Sequence, residues 1–318
     1  MMSSKVADFR KDVTNKIIAA MEAGTAPWQQ PWIVMAPQQN AISRKQYRGA
    51  NKLILAMRGQ ELQTSDPRWL TFHQAQEKGW KVKKGSKGTA VSFWQFSRRV
   101  GDKFIPIDGD EAGNNRDGSV SVLCRVYTLF NGSQIEGIPG YQTREAPEAA
   151  PDVDAVIAAT GADIRHGGNK AFYAPGEDFI QLPKAWQFET TEGYYSTALH
   201  ELTHWTAPRM RRKMGSRNPL GTPDEAYMRE ELVAELGSSF LCSELGIGHV
   251  GHDDVLKNNA AYIQHWVKLL EADNNAIFQA ANAAAKAVDF ILAFSREEKK
   301  REAAPVRKTE TTQLSFAF

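Results

Sequence analysis

The chain has 318 residues, 42% of them hydrophobic and 24% charged, with two cysteines and a formal net charge of +2. This balance suits a globular chain long enough for two domains and excludes collagen, coiled coil and wholesale disorder. The small net charge conceals an asymmetry: residues 1–145 carry 21 Lys and Arg against 13 Asp and Glu, and residues 146–318 carry 18 against 24. A basic half joined to an acidic half points to a polyanion-binding module followed by a module with another task.

In chain order, Val6, Phe9, Val13, Ile17, Ile18 and Met21 recur at helical spacing, and Gly24 ends that helix. Residues 50–62 read as a second helix, and TFHQAQEKG as a third that stops at Gly79. TAVSFWQF, KFIPI and VSVLCRVYTLF read as strands, with DGDEAGNNRDGS as the loop before the last of them. TREAPEAAPD, residues 143–152, is the candidate linker. Beyond it come a helix and strands, then mostly helix from 190 to 294. The expected fold class is α+β in two domains: residues 1–142 as a small mixed α/β domain and 153–295 as a mainly helical one. Residues 296–318 form a charged tail expected to be disordered.

One cysteine in each half is no disulfide framework, so a reducing compartment is expected. The N-terminus lacks a secretory apolar core, and no unbroken apolar run spans a membrane. The expectation is a cytoplasmic protein without a membrane partner.

The sharpest motif is His200-Glu201-Leu202-Thr203-His204 within YYSTALHELTHW. On a helix, positions i and i+4 share a face, so both imidazoles can reach one ion. Glu201 beside them can act as general base on water, the arrangement of a zinc hydrolase. The expected cofactor is Zn2+. A third ligand is not supplied by an extended motif, since residues 207 and 210 are Ala and Met. MREELVAELGSSFLCSELG supplies carboxylates at Glu230, Glu231 and Glu235 on an otherwise apolar helix. A carboxylate there is costly unless paired or metal-bound. Glu231 is assigned as ligand and Glu235 as the acid that orients a histidine, although the residues alone also allow the reverse. His249 and His252 are rival ligands in a glycine-rich loop.

From Lys78 to Arg99 there are seven Lys and Arg and no acid, interleaved with Trp80, Phe93, Trp94 and Phe96. Basic residues among aromatics suit a single strand, whose phosphates meet cations and whose bases stack on rings. The candidate DNA contacts are Arg44, Tyr47, Arg48, Trp69, Lys81, Lys83, Lys84, Lys87 and Trp94. Residues 40–105 hold 14 basic and 4 acidic residues, so the basic excess is local. Because strand residues alternate, Phe93, Trp94 and Phe96 cannot all face one way.

PWQQPW, QYRGANKLIL, RWLTFHQAQEKGWKVKKGSKGTAVSFW and YTLFNGSQIEG resemble the single-stranded-DNA-binding N-terminal domain of plasmid antirestriction proteins of the ArdC type, a domain also similar to part of plasmid TraC primases. STALHELTHW and REELVAELGSSFLCSELGI resemble the zincin-like metallopeptidase domain that follows it in that family. The resemblance covers residues 5–295. It implies His200, His204 and a downstream Glu as zinc ligands, Glu201 as catalytic acid/base, and a role in protecting conjugatively transferred DNA from host restriction. Glu231 and Glu235 are similar to the E-x-x-x-D of gluzincins, with Glu in place of the Asp.

Two readings follow. In one, the protein is a zinc peptidase that acts on host proteins bound to the strand it holds. In the other, it only coats single-stranded DNA, and the metal site is structural or vestigial. The end of the tail, Gln313-Leu314-Ser315-Phe316-Ala317-Phe318, resembles short peptides that dock on bacterial sliding clamps, a further candidate partner.

Overall fold

The structure, a computed structural model, describes residues 4–24, 26–28, 37–100, 103–107, 120–141, 152–218, 223–248 and 259–302. The loop at 108–119, the linker up to residue 151, Trp32, His249, His252 and the clamp-like tail at 313–318 lie outside these residues.

Helix α1 (Ser4–Glu22) follows the predicted spacing, with Val6, Phe9, Ile17 and Met21 buried. After β1 (Gln39–Asn40) come α2 (Gly49–Glu61), β2 (Arg68–Thr71) and α3 (Phe72–Glu77). A capping box starts α3: Thr71 Oγ1 accepts from Gln74 N–H, and Gln74 Oε1 accepts from Thr71 N–H. The short strand β3 (Lys81–Val82) pairs with β7 (Ile135–Glu136). Strands β4 (Thr89–Val100), β5 (Lys103–Ile107) and β6 (Val120–Asn131) join β1 and β2 in a five-stranded sheet of order β1-β2-β6-β4-β5. All its pairs are antiparallel except β1 with β2.

The second domain opens with α4 (Val153–Ala159) and a three-stranded sheet made of β8 (Asp163–His166), β9 (Phe172–Ala174) and β10 (Phe179–Leu182), in the order β8-β10-β9. Among the described residues, four helices follow: α5 (Thr191–Arg209), α6 (Glu225–Leu245), α7 (Asn259–Ala272) and α8 (Ala276–Glu302). Every residue of α5 from Ser196 to Ala207 is buried, against β9 and β10 on one side and α6 and α8 on the other. A helix enclosed on all sides needs no polar stripe, which is why YYSTALHELTHW has no amphipathic pattern.

The main core crosses between the domains. Phe9, Ile17 and Met21 of α1 and Leu53 and Ile54 of α2 belong to one buried cluster with Leu199, Leu232, Trp266 and Ala281. Phe9 packs on Phe278 with ring centroids 5.9 Å apart, and Trp28 meets Trp266 edge-on at 5.8 Å. Gly49, at the start of α2, has φ +53° and comes so near the Asn282 side chain of α8 that no Cβ fits between them. Over Ala276–Glu297, α8 has the length and hydropathy of a membrane span, although no unbroken apolar run occurs there. Its Ala281, Ala284, Ala287 and Ile291 are fully buried against the other helices, as in a core helix.

Candidate metal centre

Thr190 starts α5 by accepting from Gly193 N–H at 3.0 Å, and Glu192 complements the helix dipole in the first turn. Asp224 starts α6 by accepting from Tyr227 N–H at 2.7 Å, and Gly246 ends it in the left-handed conformation. The two helices touch where Gly237 meets Thr203: a Cβ on Gly237 would lie 2.5 Å from Thr203 Cγ2. This close approach sets the acids of α6 against the histidines of α5.

His200, Glu201 and His204 are buried, and so are Glu230, Glu231 and Glu235. Burying four carboxylates is costly unless cations or donors surround them. Each histidine has an acid at its Nδ1: His200 faces Glu235 Oε1 at 3.2 Å, and His204 faces Glu230 Oε1 at 3.3 Å. A carboxylate at Nδ1 fixes the ring proton there and turns an Nε2 lone pair inward. The two Nε2 atoms then face each other at 3.2 Å. Glu231 closes the triangle, with Oε2 3.6 Å from His200 Nε2 and Oε1 3.7 Å from His204 Nε2.

Two opposed lone pairs and a carboxylate repel one another unless something positive lies among them. The donor atoms of His200, His204 and Glu231 all fall within 4.8 Å of one another, so a divalent ion fits the set. In the chain alone a proton plays that part. Burial lowers the His200 pKa, but Glu231, Glu235 and Glu201 outweigh it and hold the imidazole well above its usual range. Burial raises the Glu231 pKa, and His200, His204 and Tyr227 more than reverse this, bringing it down to about 2. A metal bound there would displace that proton, because carboxylate and imidazole ligate a metal only in their deprotonated forms.

Glu231 thus sits where a third ligand belongs, and Glu235 stands behind His200. Glu230 carries no assignment in the sequence reading, yet it stands behind His204 in the same manner. Arg212, also unassigned, holds it: Nε and Nη2 donate to Glu230 at 2.9 and 2.8 Å, and Nη2 also reaches Thr203 O at 2.8 Å. A third acid on a buried helix, with no cation three or four residues away on the same face, was the available signal for Glu230.

The candidate DNA contacts are scattered. Trp69 is corrected outright: it is 0% exposed, with its indole N–H donating to Gln38 Oε1 at 2.6 Å, so it is a core residue with no free face. Tyr47 is buried beside it and lines a surface cavity. Trp94 is half-buried under the Arg10 guanidinium. Arg48 pairs with Asp289 of α8. Lys81, Lys83, Lys84, Lys87 and Arg44 are exposed, with Lys83 donating to Ser133 O at 2.7 Å.

The fold and the buried donor set define a two-domain protein whose second domain is zincin-like. Residues 7–130 match the N-terminal domain of the anti-restriction factor ArdC, and residues 151–283 match a zincin-like metallopeptidase family. The metal-free crystal structure of antirestriction protein ArdC from plasmid R388 is similar with a TM-score of 0.70 and 32% identity, covering 91% of this chain and 98% of that one. Its Mn(II)-bound structure gives 0.70 and 35%, covering 90% and 97%. Two DNA primases TraC of Escherichia coli are 38% and 37% identical over 91% of this chain, which spans only 27% and 20% of their lengths. The protein y4eC of Sinorhizobium fredii is 32% identical over 93% of this chain and 95% of its own. The chain belongs to the ArdC family of antirestriction proteins, and its buried centre is of a kind that takes a divalent metal.

Proposed function

We propose that this protein acts in the cytoplasm to protect incoming conjugative plasmid DNA from host restriction. Its N-terminal domain holds the DNA as a single strand, and its C-terminal domain is a zinc metallopeptidase acting on host proteins bound there. The antirestriction and primase relatives support a DNA partner. The observation that carries the peptidase reading is the inward pair of Nε2 atoms closed by Glu231, with buried Glu201 adjoining His200. His200, His204 and Glu231 would hold the zinc, which when bound would supply Lewis acidity to a peptide carbonyl and make water more acidic. Glu201 takes the proton of the attacking water and delivers it to the leaving nitrogen. Glu235 and Glu230 keep the two imidazoles in the tautomer that points Nε2 inward.

Glu201→Gln tests the reading in a transfer assay into a restricting host. The variant is expected to keep its zinc and its affinity for single-stranded DNA, and to lose hydrolysis by roughly 10²–10⁴-fold. If it still protects fully, hydrolysis is not the means of protection and the coating reading takes its place. In that case charge reversal at Lys83, Lys84 and Lys87 should abolish protection.

A further inference from the structure

The five-stranded sheet has two unlike faces. One carries Ala90, Ser92, Trp94 and Phe96 of β4 and turns toward α1 and α8. The other is covered at its inner end, where Tyr47, Leu55, Trp69, Val91 and Leu129 form a small core. Beyond that core, this second face is exposed among the described residues. Phe93 is 54% exposed, Tyr127 39%, Leu123 44% and Phe104 61%. The register puts them on one side: Val91 lies opposite Tyr127, Phe93 opposite Arg125, Gln95 opposite Leu123, and Arg99 opposite Phe104. Arg99 and Arg125 are exposed among them.

The bare strip ends at a cavity of about 330 Å³ walled by Phe93 and Tyr127, whose rings meet edge to face at 5.9 Å. Its polar rim is already organised. Asn40 Nδ2 donates to Gln74 Oε1 at 3.2 Å and to Tyr47 Oη at 3.4 Å, and Lys45 stands at the mouth.

We propose that this face is where the single strand lies, with one base seated in the cavity against Phe93 and Tyr127, neighbouring bases on Leu123 and Phe104, and phosphates on Arg99, Arg125 and Lys45. The proposal rests on the single-stranded-DNA reading and gives it a location that the basic loop at 81–87 does not. Exposed rings alternating with arginines on a sheet suit unstacked bases strung on phosphates. A duplex can seat a base in a cavity only by unpairing and unstacking it, a cost that a single strand does not meet. A second copy of this chain would bring the same arginines against these arginines, whereas a strand brings the opposite charge.

The test uses the full chain, a fluorescein-labelled oligo-dT for affinity, and an oligonucleotide carrying 2-aminopurine, whose emission falls when it stacks on a ring. Phe93→Ala with Tyr127→Ala is expected to weaken oligo-dT binding about 10-fold or more and to remove the change in 2-aminopurine emission. Far-UV circular dichroism and the melting temperature should stay unchanged, because neither ring belongs to a buried core cluster. Phe93→Tyr should retain both signals. If the wild type binds oligo-dT and the double variant binds it equally well with the same emission change, the strand lies elsewhere and the proposal is overturned, while the single-strand reading stands. If the wild type does not bind, both fall. A wild-type dimer that the double variant disperses would assign the face to a second copy instead.

Discussion

Glu230 receives two hydrogen bonds from Arg212 and offers Oε1 to His204 Nδ1 at 3.3 Å. Burial raises its pKa, but Arg212 and His204 more than offset this, so the carboxylate stays charged below its ordinary range. A charged acceptor at Nδ1 makes the opposite nitrogen a better donor to a metal. Glu230→Gln keeps the shape and loses the charge, so metal should bind about 10-fold more weakly, as read by competition with a chelator at fixed pH. Unchanged affinity would mean that Glu230 only neutralises Arg212. At this scale the sequence was partly legible. His200 and His204 could be paired because one helical turn joins them. Telling Glu231 from Glu235 needed the rotation of α6 against α5, and the pairing of Glu230 with Arg212 crosses 18 residues through a loop.

Helix α6 reaches α5 closely enough to place those acids because Gly237 leaves a gap that Thr203 fills. A glycine inside a helix costs about 1 kcal/mol relative to alanine, so in sequence it reads only as a local weakness. Its value appears in the neighbouring helix. Gly237→Ala improves helix propensity yet forces a methyl against Thr203, and such overpacking costs about 1–3 kcal/mol. The expected outcome is lower stability in denaturant unfolding together with weaker metal binding, since Glu231 and Glu235 ride on the displaced helix. A more stable variant with unaltered metal affinity would show that the gap is not what sets their distance. The strands repeat the lesson. Their existence was legible from runs of β-branched and aromatic residues. Which tryptophan is core and which ring is surface was not, because Trp69 is covered by α2, and α2 is placed by tertiary packing.

Across the whole molecule, the basic and acidic halves are joined by the core as well as by the chain. Phe9, Ile17, Met21, Leu53 and Ile54 of the first half would be left bare by a cut at the linker. An ion pair crosses the same junction: Lys52 of α2 donates to Glu244 of α6 at 2.7 Å, with its ammonium 5.2 Å from the centre of the Phe240 ring. Lys52 is one of the 14 basic residues counted over 40–105, yet charge along a chain does not report burial. Burial lowers its pKa below the usual 10.5, and Glu244 only partly restores it. The unfolded chain therefore holds this proton to higher pH than the folded one. Between the folded value and 10.5, stability should rise with pH as the buried ammonium is discharged. Lys52→Met removes both the charge and that dependence and should leave stability at pH 7 nearly unchanged or raised. Glu244→Ala strands the ammonium and should cost about 3 kcal/mol at pH 7, a loss that shrinks as the pH climbs toward the window where Lys52 is neutral. Denaturant unfolding of both variants at neutral and alkaline pH decides the matter. Equal losses for the two variants at pH 7 would mean that the junction depends on the lysine stem and not on the charge pair.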